Sequence, residues 1–380
     1  MHNKPKIIRA CTVSMSIGFV SGMLADLTKR YEVVLLSSPG PEMEDAKRNG
    51  QVKCIEVPMK RRISPLKDFI SLCRLIGVFR KEKPVMVHSM TPKAGLLCMA
   101  AAWLTRVPVR VHTFTGLVWP TSKGIQRLIL KMTDRITCFC ATHVIPEGQG
   151  VLSDLKTGKI TNKEMKVLGY GNVRGIDMDR FSRRPDILEL AKAIRNEDVF
   201  TFLFVGRIVG DKGINELIDA FAKLHGEYNI RLILVGSYER TLDPLLSKTQ
   251  EQIDNVPDIV FVGEQFGDNL IAYYAAADCF VFPSYREGFP NTVLEAGAMG
   301  LPCIVTDING SREIVVDGNN GIIIPPKDEK ALYEAMKTMV EDSVLREQMS
   351  SNARPMIESR FEQGYVRQCL YDYYDQILPH

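Results

Sequence analysis

CFVFPSYREGFPNTVLEAGAMGLPCIVTD, residues Cys279–Asp307, decides how this chain is read. CFVF and PCIVTD are short apolar runs of strand type, and the helix-forming stretch between them makes the whole a strand–helix–strand unit. Pro290 lacks an N–H and restricts Phe289 to extended geometry, so the helix is expected to open near Asn291 or Thr292. That puts Glu287 in the loop and Glu295 in the first helical turn, both near one helix mouth. Each carboxylate has two readings. Thr292-Val-Leu-Glu295 fits a capping box, in which Glu295 reaches back to the N-cap N–H, and Glu287 can be a solvated loop acid. Alternatively the pair faces a ligand.

Outward from this unit the same rhythm repeats. KIIRACTV, EVVLLSS, VKCIEV, PVMVHS, VRVHTF and THVIPE read as strands of the first half, and FTFLFVG, IRLILVG, DIVFVG, CFVFPS, PCIVTD and GIIIPP as strands of the second. Amphipathic stretches such as 213–224 and 329–340 separate them. Strand–helix alternation builds parallel sheets covered on both faces. Six strands per half predicts an α/β protein of two Rossmann-like domains, 1–175 and 176–362, followed by a helix over 363–380 that folds back onto the first domain. The boundary falls in LGYGNVRGIDMDRFSRRP, residues 168–185. Gly169, Gly171 and Gly175 there miss the dinucleotide fingerprint by one residue and have no strand–turn–helix frame. Asp177-Met-Asp179 resembles a metal-holding acid pair, a pattern short enough to arise by chance, and no metal is assigned.

With 380 residues, 45% hydrophobic and 24% charged, two globular domains are the default. Nine scattered cysteines without C-x-x-C spacing fit a reduced cytoplasmic protein. The N-terminus runs directly into a strand with no signal-peptide pattern, and the longest apolar stretch, residues 94–104, is too short to span a bilayer. The net charge of +3 conceals an asymmetry: 29 basic against 14 acidic side chains in residues 1–180, and 19 against 31 in residues 181–380. One basic and one acidic half suggest different partners.

FVGRIVGDKG, Phe204–Gly213, is the second informative stretch. A strand ends, Gly206 lets the backbone turn, and Arg207 and Lys212 flank a loop entering a helix, which is the setting of a phosphate site. SMSIG, ending at Gly18 beyond the first strand, could add backbone N–H groups. Carboxylates suit hydroxyls, since each can accept two hydrogen bonds from a vicinal diol. One acid for a ribose, one for a sugar, and Arg plus Lys for a pyrophosphate describe a nucleotide-sugar site.

With these motifs the chain resembles the family-4 retaining glycosyltransferases of GT-B fold, whose two Rossmann-like domains face each other across a cleft. The matching residues are Arg207, Lys212 and Gly213, the Glu287–Glu295 pair, and TDINGSREIVVDGNNGIIIPP. VHSMTPKAG and VHTFTGL look like the subgroup that extends lipid-linked sugars in bacterial surface-polysaccharide and capsule synthesis. The resemblance implies that Arg207 and Lys212 bind the donor pyrophosphate and Glu295 the ribose, with Glu287 near the reacting carbon of the sugar. Phe289, Pro290, Asn291 and Thr292 would line the pocket, and the segments ending at Gly236 and Gly263 would flank the base. On the acceptor side it points to His88, Lys93, His112 and Thr115. Many relatives carry a histidine where this chain has Thr115; His112 falls on the opposite strand face from Thr115, and His88 is the better replacement or else a structural histidine.

The implied reaction is retaining transfer from a nucleotide-sugar, a UDP-sugar such as UDP-N-acetylhexosamine, to a glycan or polyprenyl-diphosphate-linked acceptor, with no cofactor or metal and no nucleic acid as partner. A GT-B nucleotide-sugar epimerase and a non-catalytic nucleotide-sugar-binding protein are the alternatives. Lys60, Arg61, Arg62 and Lys67 crowd one loop and helix start, and predict peripheral docking on an anionic membrane surface at the inner face of the cell membrane.

Overall fold

The computed structural model describes residues 4–61, 63–239 and 243–378. Contacts divide the chain into two units, Met1–Arg174 with Gly364–His380, and Gly175–Gln363. In the first, strands β1 (Lys6–Ala10), β2 (Glu32–Ser37), β3 (Lys53–Glu56), β4 (Met86–Met90), β5 (Val109–Phe114) and β6 (His143–Pro146) form a parallel sheet ordered β3-β2-β1-β4-β5-β6. In the second, β7 (Phe200–Val205), β8 (Ile230–Val235), β9 (Ile259–Gly263), β10 (Cys279–Phe282), β11 (Cys303–Thr306) and β12 (Gly321–Ile324) repeat the topology as β12-β11-β10-β7-β8-β9. Both are doubly wound α/β sheets, as the strand rhythm predicts.

Each sheet reverses its strand order once, between β1 and β4 and between β7 and β10. Loops leaving those strands at their carboxyl ends diverge to opposite faces and leave a crevice, the usual ligand position in such sheets. The helices flanking the two sheets include α1 (Pro65–Glu82), α2 (Pro92–Leu104), α3 (Gly124–Cys140), α4 (Ile214–His225), α5 (Gly267–Ala276), α6 (Asn291–Ala298) and α7 (Gln363–Ile377).

Strand periodicity sorts the first core into two halves. Ile8, Ala10, Val34, Leu36 and Val87 pack with Leu75 and Phe79 of α1. Ile7, Val33, Leu35, Met86 and Val111 face the other way, onto Leu370 and Tyr374 of α7. The second face is therefore covered by a helix contributed from the far end of the chain. In the second unit a single core runs through both sides of the sheet, from Ile218 and Phe221 of α4 to Val293 and Leu294 of α6.

Candidate active site

β7 and β10 end side by side, and the loops that follow them are bonded together. Tyr285 N donates to the Asp211 carbonyl at 2.9 Å, and Arg286 pairs with the Asp211 carboxylate at 3.2 Å. Tyr285 OH donates to Glu216 on α4 at 2.5 Å. The crevice at this reversal thus carries both motifs that sequence singled out.

Lys212 ends a one-turn 3-10 segment, and its ammonium donates to Glu287 Oε1. Ser284 Oγ donates to the same oxygen at 2.8 Å, while the Lys212 ammonium also lies 5.4 Å from the Phe282 ring centroid. Both partners are mostly buried, so the pair is only lightly screened by solvent. Gly213 follows in the left-handed region (φ 72°), where a Cβ would lie 2.1 Å from the Pro283 carbonyl oxygen. Only glycine closes this turn. It is the N-cap of α4, which has no side-chain cap, so the first N–H groups of that helix receive no side-chain oxygen from the cap.

Arg207 is half-exposed and pairs with Glu239 at 3.0 Å, a surface ion pair of small net energy that an anion can outcompete. Gly206 and Gly236 directly follow the adjacent strands β7 and β8, and Gly263 ends their neighbour β9; Gly206 N donates to Val235 O at 2.9 Å and Gly236 N to Gly263 O at 2.8 Å. A Cβ on Gly236 (φ 143°) would sit 1.8 Å from the Gly206 carbonyl oxygen. The backbones approach too closely there for any side chain.

Glu295 differs from expectation. α6 opens at Asn291 with Pro290 as N-cap and no side-chain cap, so Glu295 is its fifth residue and lies in the second turn. The capping box does not form, because Thr292 is already inside the helix. Glu295 Oε2 instead accepts from Tyr274 OH at 3.0 Å, and the side chain is buried. Burial holds the Tyr274 phenol well above its ordinary range, so it remains a donor. Phe289 is buried against Phe361 with ring centroids 5.4 Å apart, which anchors the Phe289–Thr292 turn. Sequence reading missed Tyr274 and Ser284; buried hydroxyls aimed at a carboxylate give no periodic signal.

In the first unit His88 and His112 are not at the surface. His88 alternates onto the face covered by α7, where Nδ1 meets Tyr374 OH at 2.6 Å and Nε2 meets Thr113 Oγ1 at 2.7 Å. Tyr374 also accepts from Arg9 at 2.7 Å. Desolvation pushes His88 well below the ordinary histidine range. His112, on the opposite face, bonds Ser89 Oγ at 2.9 Å, and burial lowers its pKa to about 3. Both rings are buried neutral bases, so the acceptor-side expectation for them is replaced by a core role. Thr115 follows β5 half-buried. The Gly18 N–H is spent on the Met15 and Ser16 carbonyls within its own turn, rather than offered to a phosphate. Asp177 Oδ1 accepts from Asp179 N at 3.1 Å and Arg180 N at 3.0 Å, which gives that acid pair a turn-forming role.

Lys93 pairs with Asp68 at 2.5 Å and lines an open hollow of about 630 Å³ at the β1/β4 reversal. Thr12 and Thr91 form its floor, their hydroxyls 2.7 Å apart, and Arg61, Ile63, Val118 and Leu130 form its walls. A cationic and apolar lining suits an amphiphile with an anionic head. Arg62 lies outside the described residues. Among the described residues no helix is long and apolar enough to cross a membrane.

Two family profiles match the chain: glycosyl transferase 4-like domain over residues 19–171 and glycosyl transferases group 1 over residues 187–356. The capsular polysaccharide biosynthesis glycosyltransferase CapM of Staphylococcus aureus is 34% identical over 376 residues, covering 98% of this chain and 97% of that one. An Escherichia coli enzyme, UDP-Gal:alpha-D-GlcNAc-diphosphoundecaprenol alpha-1,3-galactosyltransferase, is 30% identical over 377 residues, covering 95% of this chain and 94% of its own. Among solved structures, Anabaena Alr3699/HepE in complex with UDP superposes with a TM-score of 0.80 at 18% identity, over 98% of this chain and 100% of that one.

Proposed function

The chain belongs to the family-4 glycosyltransferases of GT-B fold, and on that premise we propose that it transfers a hexose or N-acetylhexosamine from a UDP-sugar to a polyprenyl-diphosphate-linked glycan, with retention, in bacterial surface-polysaccharide synthesis. The observation that carries the reading is the crevice at the β7/β10 reversal, where Lys212, Glu287 and the uncapped start of α4 converge. The name of the Escherichia coli relative supports the acceptor class, and the names of both full-length relatives favour transfer over epimerisation.

In this reading the donor diphosphate takes Lys212, Arg207 and the N–H groups of α4. The ammonium then shares its charge between phosphate and Glu287, which turns toward the sugar. Glu295, held by Tyr274, accepts the ribose hydroxyls. The Phe289–Thr292 turn lines the pocket, and the strand ends at Gly236 and Gly263 flank the base. Charge develops on the leaving diphosphate, and fixed cations with a helix N-terminus stabilise it there without reorganising. The departing phosphate oxygen takes the acceptor proton on the same face of the sugar, so no protein carboxylate is needed on the far face and no divalent ion is required. The acceptor diphosphate occupies the hollow beside Lys93 and Arg61. Lys60, Arg61 and Lys67 attract the first unit to an anionic cytoplasmic leaflet, each adding on the order of 1 kcal/mol.

The test is a panel of nucleotide-sugars, each with and without a polyprenyl-diphosphate-linked sugar, scored for nucleotide release and for product anomer by NMR. Acceptor-dependent UDP release with an α product from an α donor is expected. Interconversion of the nucleotide-sugar without transfer would replace this reading with epimerisation.

A further inference from the structure

Helix α3 is turned inside out for a water-soluble surface helix. Ile125, Leu128, Ile129, Met132, Ile136 and Phe139 are between 41 and 77% exposed. The residues it buries include Asp134 and Thr137. At about 100° per residue, the six exposed apolar positions fall within an arc of roughly 100°, one continuous stripe along a helix about 25 Å long. Single exposed apolar residues are ordinary, whereas a contiguous stripe marks a contact surface.

The stripe continues at both ends. Phe139 meets the half-exposed Trp103 of α2 with ring centroids 6.0 Å apart. At the other end, Gln126 and Leu130 share the hollow with Ile63. Just beyond it, Leu66, Phe69 and Ile70 stand exposed at the start of α1. Charge along this surface is predominantly positive. From Thr115 to Cys140 the cations are Lys123, Arg127, Lys131 and Arg135, and the single acid, Asp134, is buried. Residues 57–70 contain Lys60, Arg61, Arg62 and Lys67 and one acid, Asp68, which pairs with Lys93.

We propose that the outward face of α3, joined to the start of α1, seats in the headgroup–acyl boundary of an anionic bilayer. An apolar stripe on a convex helix with a predominantly cationic border, whose acids Asp134 and Asp68 are respectively buried and paired with Lys93, fits lipid, whose tails accept the apolar side chains while anionic headgroups meet the cations. The inference rests on the membrane-docking reading above and deepens it: charge brings the first unit to the surface, and α3 inserts. The hollow, with Arg61 and Lys93 in its lining, then opens beside the leaflet that carries a lipid-linked diphosphate.

Vesicle flotation separates the two contributions. The wild-type chain is expected to bind phosphatidylglycerol-containing vesicles at low salt and to keep a measurable part of that binding at high salt, where charge attraction is screened. Ile125→Ser with Ile129→Ser and Met132→Ser should weaken partition by about 100-fold and abolish the high-salt part. The same variant should keep its melting temperature and its turnover of detergent-dispersed acceptor. Lys60→Ser with Arg61→Ser and Lys67→Ser should lose mainly the low-salt part. A triple-serine α3 variant that binds vesicles like wild type overturns the insertion of α3 while leaving charge docking in place. Wild-type protein that binds no vesicle overturns docking and insertion together. A wild-type dimer by light scattering that the α3 variant dissolves would assign the stripe to a second copy of the chain instead.

Discussion

Glu295→Gln isolates the charge of one carboxylate with little other disturbance. The amide matches the carboxylate in volume, and its oxygen can still accept from Tyr274 OH, which sits 3.0 Å from Oε2. If Glu295 receives two ribose hydroxyls, each charge-assisted bond is worth roughly 1.5–3 kcal/mol, against roughly 0.5–1.5 for its neutral counterpart. The loss is about 1–1.5 kcal/mol per bond, or about 2–3 kcal/mol for the pair, which weakens nucleotide affinity by roughly 30- to 150-fold. Calorimetric titration with UDP and with 2′-deoxy-UDP, on wild type and variant, completes a double-mutant cycle. Wild type should lose about tenfold on removal of the 2′-hydroxyl, and the variant only about twofold, because the partner charge has already gone. Melting curves of the two proteins should coincide within a few degrees, since no cap is lost. Equal losses on deoxygenation in both proteins, or variant affinity for UDP within threefold of wild type, would refute the ribose role. Glu295 would then be a buried structural partner of Tyr274.

Lys212→Ala removes the ammonium and leaves Glu287 with Ser284 as its hydroxyl partner; turnover in the nucleotide-release assay should fall by roughly 100- to 1,000-fold, and a loss under tenfold would count against a leaving-group role. Excess EDTA should leave turnover unchanged, while loss restored by manganese would return attention to Asp177 and Asp179. Burial raises the Asp134 carboxyl from 3.8 to about 7. Its folded-state protonation therefore contributes stability that is full below about pH 3.8 and is lost as pH rises toward 7. Asp134→Asn should accordingly be more stable than wild type by roughly 2–4 kcal/mol near pH 8 in denaturant titrations, with the gap closing toward pH 4. A gap of the same size at both pH values would contradict the raised carboxyl.

Much of the architecture is set by local chemistry, which is why sequence carries it. Parallel strands buried on both faces must be continuous apolar runs. Each run from KIIRACTV to GIIIPP accordingly marks a strand whose ends are off by at most a few residues. Pro290 starts α6 within one residue of its true opening, because proline geometry acts on its own neighbours. The Lys212 and Glu287 positions were legible for a related reason: Gly213 and the Gly-Phe-Pro turn are backbone requirements that leave a residue signature.

Packing decided what spacing could not. Glu295 finds Tyr274 rather than a cap, a partner 21 residues away brought close only when α5 and α6 share one core. His88 has the look of a site residue until α7, nearly 290 residues later, supplies Tyr374 and closes its strand face from solvent. Nor could periodicity alone tell which face of α3 turns outward, since an amphipathic helix reads the same either way. Sequence determines that such a stripe exists. Only tertiary structure decides whether it meets a core or is left to find a partner, because burial depends on what the rest of the chain places against it.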